Sequence, residues 1–192
     1  MLILASRSPR RRALLRAANL RFRTVAPAHE EAPPPRTRRY AALVTREALA
    51  KAQSVVGRAR GTVLGADTVV VCDGRVLGKP RGAVEARRML RLLSGRWHRV
   101  YTGLALVEGE RRLLGWERTE VAFRRLSNGE IERYLATGEP MDKAGAYAIQ
   151  GGAAAFVRAI RGCYTNVIGL PVPRLMEMLA EFGGAGARRG RR

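Results

Sequence analysis

Lysine is nearly missing from this chain. Of 36 basic residues only Lys51, Lys79 and Lys143 are lysine, and all the others are arginine. A bias of that size is a compositional habit of the whole sequence, so much of the net charge of +20 is solvated surface. Where lysine persists against it, a compact and strongly hydrated ammonium is needed that a planar guanidinium does not replace. Cysteine is scarce too. Cys72 and Cys163 are too few for a disulfide framework and have no metal-ligand spacing, so both read as small buried residues. No apolar run is long enough to span a bilayer. The apolar start Met1 to Ser6 lacks a charged leader and is ended by Arg7, so it does not read as a signal peptide, and the expected address is the cytoplasm. Aromatic residues make up 6% of the chain and are not interleaved with the arginines of Gly183 to Arg192, which argues against a base-stacking tail.

With those classes set aside, 192 residues and 46% apolar content describe a folded protein with a sizeable core. Its most informative stretch is Thr62 to Val71, an apolar β-type run interrupted by Asp67. A carboxylate in a strand buried on both faces is costly unless a cation or donors meet it. Gly65 and Ala66 add no bulk before it, so a ligand or another backbone can approach there. The plainer reading is an Asp that bonds its own turn.

Other stretches supply the cations. Leu2 to Ala5 reads as a short strand, followed by Ser8 as N-cap and Pro9 as first residue of a helix to about Ala18. Ser6, Ser8, Arg10 and Arg11 surround the free amides of that helix start. Arginines there are electrostatically misplaced unless an anion binds between them. Lys51 lies amid alanines on a helix expected from Tyr40 to Val56. Asp73-Gly74 is a hairpin signal that returns Lys79, between Gly78 and Pro80, towards the Asp67 strand. Glu30 and Glu31, in a proline-rich loop with His29, read either as a solvated acidic loop or as carboxylates at a cleft rim that hold a divalent metal. Ser127 to Glu130 is a capping box. Gly138 to Gly152 is a loop of small residues with Lys143, Tyr147 and Gln150, the composition of a binding wall. His98 reads as structural, 162 to 169 as a turn with a strand, 171 to 182 as a closing helix, and 183 to 192 as a disordered basic tail beyond a single domain over 1 to 182.

Six of these stretches together resemble the signature blocks of the Maf family of nucleoside triphosphate pyrophosphatases. They are Leu4-Ala5-Ser6-Arg7-Ser8-Pro9-Arg10-Arg11, Gly65-Ala66-Asp67-Thr68-Val69-Val70, Gly78-Lys79-Pro80, the run Ser94 to Gly103, the run Glu139 to Gly151, and Asn166-Val167-Ile168-Gly169-Leu170-Pro171. The resemblance implies a two-lobed α/β fold, with a long mixed β-sheet flanked by helices and a central cleft, related to the inosine triphosphate pyrophosphatases. It also implies hydrolysis of a nucleoside triphosphate to monophosphate and pyrophosphate with a divalent cation, Mg²⁺ or Mn²⁺. Arg10, Thr68 and Gln150 resemble the branch that acts on dTTP and UTP, and Gln150 suits a uracil or thymine edge because one amide both donates and accepts. The expected assignments are Asp67 as water-activating base or metal ligand, Glu31 as its partner on the metal, and Ser6, Arg10, Arg11, Lys51, Thr68, Lys79 and Gln150 on the substrate. No membrane and no specific nucleic acid are expected as partners, and a homodimer is. The rival class is a basic nucleic-acid-binding or cell-division regulatory protein without turnover.

Overall fold

The structure, a computed structural model, describes residues 1–29, 35 and 37–187. Glu30 and Glu31 lie outside the described residues, as do 188–192 of the expected tail.

Strand β1 (Leu2–Ala5) is fully apolar and buried, and it runs into α1 (Pro9–Ala17) through the cap that Ser8 makes to the Arg11 amide. Then come β2 (Phe22–Val25), α2 (Tyr40–Gln53), β3 (Thr62–Cys72), β4 (Arg75–Leu77), α3 (Ala83–Leu93), β5 (Trp97–Glu108) and β6 (Arg111–Phe123). The chain closes with α4 (Asn128–Ala136), three 3₁₀ turns over 139–156, β7 (Val157–Arg161), α5 (Tyr164–Ile168) and α6 (Val172–Ala187). The Ser127–Glu130 capping box forms as expected. Asp73 and Gly74 both take positive φ in the β3–β4 hairpin, as a tight two-residue turn requires.

The seven strands form one mixed sheet in the order β2-β1-β3-β5-β6-β7, with β4 on β3. β1 runs parallel to β2 and β3, and the longer pairings of β5 with β3 and β6 are antiparallel. β1 and β4 share β3 between them. β1 pairs with 62–65 and β4 with 70–72, so neither covers residues 66 to 69. That gap is where the apolar run carries its polar residues. Between Val63 and Cys72 only Asp67 and Thr68 are not buried.

Apolar cores fill both faces of the sheet. On one, Ala48 and Ala52 of α2, and Val55 just beyond its end, pack on Ile3, Val63 and Ala105. On the other, Leu15 of α1 and Leu175, Met178 and Phe182 of α6 pack on Leu4, Leu64 and Leu104. A separate core joins α3 and α4 to the far ends of β3, β5 and β6. The two lobes meet at the β3 gap.

Three expectations are corrected here. Residues 164–168 are a short helix and not a strand, because Gly169 at φ 116° ends it while the Thr165 carbonyl accepts from the Gly169 and Leu170 amides. Cys163 is partly exposed, beside the Thr165 hydroxyl. Helix α6 continues to Ala187, five residues into the stretch read as a tail, on the anchorage of its Leu175, Met178 and Phe182 stripe.

His98 is structural, as its isolation suggested. It is 2% exposed, with Nε2 on the Tyr147 hydroxyl at 2.9 Å and edge contacts to Phe123 and Tyr147. Burial pushes its pKa down to about 3. The unfolded chain therefore binds a proton below about pH 6.5 that the folded chain refuses, and stability falls as pH drops from there towards 3. The expected slope is up to about 1.4 kcal/mol per pH unit in that window. Urea midpoints between pH 7 and pH 4 check it: His98→Gln flattens the dependence.

Candidate functional site

Successive residues of a strand face opposite sides of its sheet, so Asp67 and Thr68 serve different neighbourhoods. Asp67 faces α2. Its Oδ1 accepts from Lys51 Nζ at 2.6 Å, with the lysine side chain 5% exposed and the carboxylate 13%. This is the cation that an Asp in an apolar strand calls for. The pair is possible because α2 lies directly on the sheet. A Cβ at Gly65 would sit 2.0 Å from the Ala48 carbonyl oxygen, and one at Gly103 would sit 2.3 Å from the Val44 carbonyl. Only glycine admits that approach. Asp67 Oδ2 makes no hydrogen bond among the described residues and lies at a cleft of about 990 Å³. The cleft is also lined by Thr68, Lys79, Glu47 and the arginines Arg46, Arg75, Arg81 and Arg88.

Thr68 faces the other way. Arg11 Nη2 donates to its hydroxyl at 3.1 Å, while Arg11 Nε donates to the Gly169 carbonyl at 2.8 Å. Arg11, expected on phosphate, is thus a tie between α1, β3 and the end of α5. Ser6, 4% exposed, accepts from the Ser8 amide at 3.1 Å and from Arg11 Nη1 at 3.4 Å. It sits at the α1 start as expected.

A smaller recess of about 90 Å³ shares Thr68, Lys79 and Ala144 with the cleft and is walled by Arg10, Tyr147, Gln150 and Gly169. Arg10 Nη1 approaches Asp142 Oδ2 at 3.5 Å, and Lys143 Nζ pairs with Asp142 Oδ1 and donates to the Glu139 carbonyl at 3.2 Å. Burial opposes ionisation of Asp142, yet Lys143 and Arg10 outweigh it and hold its carboxyl below the usual range. Lys79 is placed by a backbone bond from the Gly145 amide to the Gly78 carbonyl at 3.0 Å. The structure therefore brings Asp67, Lys51, Thr68, Lys79, Arg10, Arg11, Ser6 and Gln150 to one gap and its two margins. Glu31 lies outside the described residues.

One cleft residue was missed in the sequence reading. Glu47 lines the cleft one turn before Lys51 on α2, and His29 Nε2 meets its Oε2 at 2.8 Å. Burial acts against its charge, but His29 and Arg46 win and lower its pKa. The Glu-to-Lys spacing of four was its signal.

Among the described residues no group of three His, Cys, Asp or Glu side chains is placed to hold a metal ion. No helix among them is long and apolar enough to cross a membrane.

A family model described as Maf-like protein matches residues 1–182. A relative from Pelotomaculum thermopropionicum, named dTTP/UTP pyrophosphatase, is 50% identical over 185 residues, covering 95% of this chain and 96% of that one. A second with the same name, from Moorella thermoacetica, is 52% identical over 185 residues and covers 95% of each chain. Among solved structures, a HAM1 protein from Coxiella burnetii aligns over 94% of this chain and 98% of its own at a TM-score of 0.53 and 18% identity, a likeness of fold alone.

Proposed function

This chain belongs to the Maf family, and from that premise we propose how its cleft works as a nucleoside triphosphate pyrophosphatase that cleaves dTTP and UTP to the monophosphate and pyrophosphate. The relatives' shared name and their coverage of nearly the whole chain support the activity. The Asp67–Lys51 pair in the uncovered gap of β3 is the observation that carries the mechanism.

The triphosphate lies along the gap, against the N-terminal end of α1 and the charges of Arg10 and Lys79. Ser6 and Arg11 shape that margin. Lys51 fixes Oδ1 of Asp67, so the other carboxylate oxygen is presented to the cleft in one orientation. There it holds a water in line with the α-phosphorus and takes its proton as the new P–O bond forms. The bond from the α-phosphorus to the bridging oxygen breaks, and pyrophosphate leaves with the electron pair. The base occupies the recess, where Thr68, Arg10 and Gln150 read its edge.

A divalent cation, Mg²⁺ or Mn²⁺, belongs to the same proposal. The donor set suits a hard cation, since Asp67 offers oxygen. Mg²⁺ is commonly held by one or two carboxylates plus substrate phosphates and not by a closed protein cage. Asp67 and Glu31 are the carboxylates proposed to hold it, and when bound it supplies neutralisation of phosphate charge. The cytoplasm as the place of action and a homodimer as the assembly complete the reading, and light scattering reads the latter.

The test is a panel of nucleoside triphosphates assayed for pyrophosphate with Mg²⁺ or Mn²⁺. Cleavage of dTTP and UTP ahead of purine nucleotides supports the reading. Binding of long polyanions without cleavage of any nucleotide favours the basic-binding rival. A variant tests the retained lysines. Lys79→Arg keeps the charge but not the compact ammonium, and kcat/KM for dTTP is expected to fall roughly tenfold, the loss of about one charge-assisted hydrogen bond.

A further inference from the structure

Gln150 reaches the recess from the corner of a tight turn. Residues 148–151 form a β-turn closed by the Gly151 amide on the Ala148 carbonyl at 3.1 Å. Of its two central residues, Ile149 is buried in the core with Ala153 and Phe156, while Gln150 is exposed and walls the recess. A turn closed by one hydrogen bond places its corner side chain only as well as its ends are held.

Both ends are held by one pair of side chains. The Ala148 amide donates to the Tyr134 hydroxyl at 3.0 Å, and that hydroxyl donates its own proton to Glu139 Oε1 at 2.9 Å. The other oxygen of the same carboxylate, Oε2, accepts from the Gly152 amide at 3.1 Å, one residue past the turn. The directions follow from the groups: an amide N–H only donates and an ionised carboxylate only accepts, so the hydroxyl between them does one of each. Tyr134 is 4% exposed, and burial pushes its phenol up, so the hydroxyl keeps the proton it gives to Glu139. A Cβ at Gly151 would overlap both oxygens of the Glu139 carboxylate, so any other residue there would push the carboxylate off the turn. Neither Tyr134 nor Glu139 walls the recess; the pair stands behind the turn.

We infer that Glu139 is a positioning residue for base recognition: with Tyr134 it holds both ends of the turn that carries Gln150, so that the Gln150 amide meets the base from a fixed place. Glu139 touches no substrate; it acts through residues 148–152. Its backbone is held separately, since its carbonyl accepts from Lys143 Nζ at 3.2 Å and its amide donates to the Thr137 hydroxyl at 3.2 Å. Truncating the side chain therefore releases the turn and leaves the path of the chain at 139. The inference rests on the proposed base site and deepens it.

The experiment measures by calorimetry, with Mg²⁺ present, how the wild type, Glu139→Ala, Glu139→Gln and Gly151→Ala bind UMP and inorganic pyrophosphate. UMP carries the base and pyrophosphate does not. Melting temperatures and kcat for UTP are recorded alongside. Glu139→Ala is expected to weaken UMP about tenfold, the loss of about one charge-assisted hydrogen bond, while pyrophosphate affinity and kcat stay unchanged. Glutamine keeps an oxygen for the Gly152 amide and must recover most of that loss. Gly151→Ala displaces the carboxylate without removing it and must weaken UMP in the same direction. Equal weakening of UMP and pyrophosphate in Glu139→Ala would mark a merely structural role, and unchanged UMP affinity would show that the turn stands without the pair; either result overturns the inference. Should the alanine variant not fold, Tyr134→Phe keeps the ring, removes the hydroxyl and carries the same expectation. A wild type that binds neither product and cleaves no nucleotide would instead overturn the proposed function.

Discussion

Replacing Asp67 with Asn is expected to lower kcat for dTTP by about a thousandfold, within the range of about 10²–10⁴ assigned to a positioned general base, while nucleotide binding stays measurable. The amide has the shape of the carboxylate but takes no proton. Its oxygen still accepts from Lys51, so α2 and β3 keep their contact and the fold is retained. A melting curve near that of the wild type, together with retained binding of a non-hydrolysable dTTP analogue, separates lost chemistry from lost structure. Activity within a few-fold of wild type would remove Asp67 from the reaction.

The second large effect is remote from any phosphate. Gly103→Ala places a Cβ 2.3 Å from the Val44 carbonyl carbon and oxygen and 2.5 Å from the Thr45 amide nitrogen. These are backbone atoms of a helix and do not swing aside, so α2 must lift from the sheet. Overpacking of this kind costs about 1–3 kcal/mol and more against rigid neighbours. Taking about 3 kcal/mol, the melting temperature of a chain this size falls by roughly 6–12 °C. Turnover falls with it, because α2 carries Lys51 and the 2.6 Å pair with Asp67 does not survive a lifted helix. Gly129→Ala is the control. Gly129 lies in the first turn of α4, where a new Cβ meets only the end of the Arg133 side chain at 3.4 Å, and alanine there favours the helix.

Much of this site is legible in the sequence, for reasons that can be named. Asp67 stands out because a carboxylate inside a run of Val and Leu has an energetic cost that demands a partner. Lys51 and Lys79 stand out because arginine replaces lysine almost everywhere else. Ser8-Pro9 and Ser127 to Glu130 are local chemistry, settled within a single turn, and both caps form. What the sequence hides is long-range. That β1 and β4 leave residues 66 to 69 uncovered follows from strand register. Thr102 meets Thr68 only because Asp67 pairs with Gly103. Arg11 reads as a phosphate ligand from the α1 start, yet the Gly169 carbonyl and Thr68, 158 and 57 residues away, claim its guanidinium. The stretch 162–169 reads as a turn with a strand, and the Asn166 side chain, bonded into β5 and β6, holds a helical turn there instead.

Attack of an Asp67-guided water on the α-phosphorus is tested by hydrolysing UTP in ¹⁸O-labelled water and analysing the products by mass spectrometry. Attack at the α-phosphorus puts one labelled oxygen in the nucleoside monophosphate and none in pyrophosphate. Label in pyrophosphate, or release of inorganic phosphate with the nucleoside diphosphate, would contradict it.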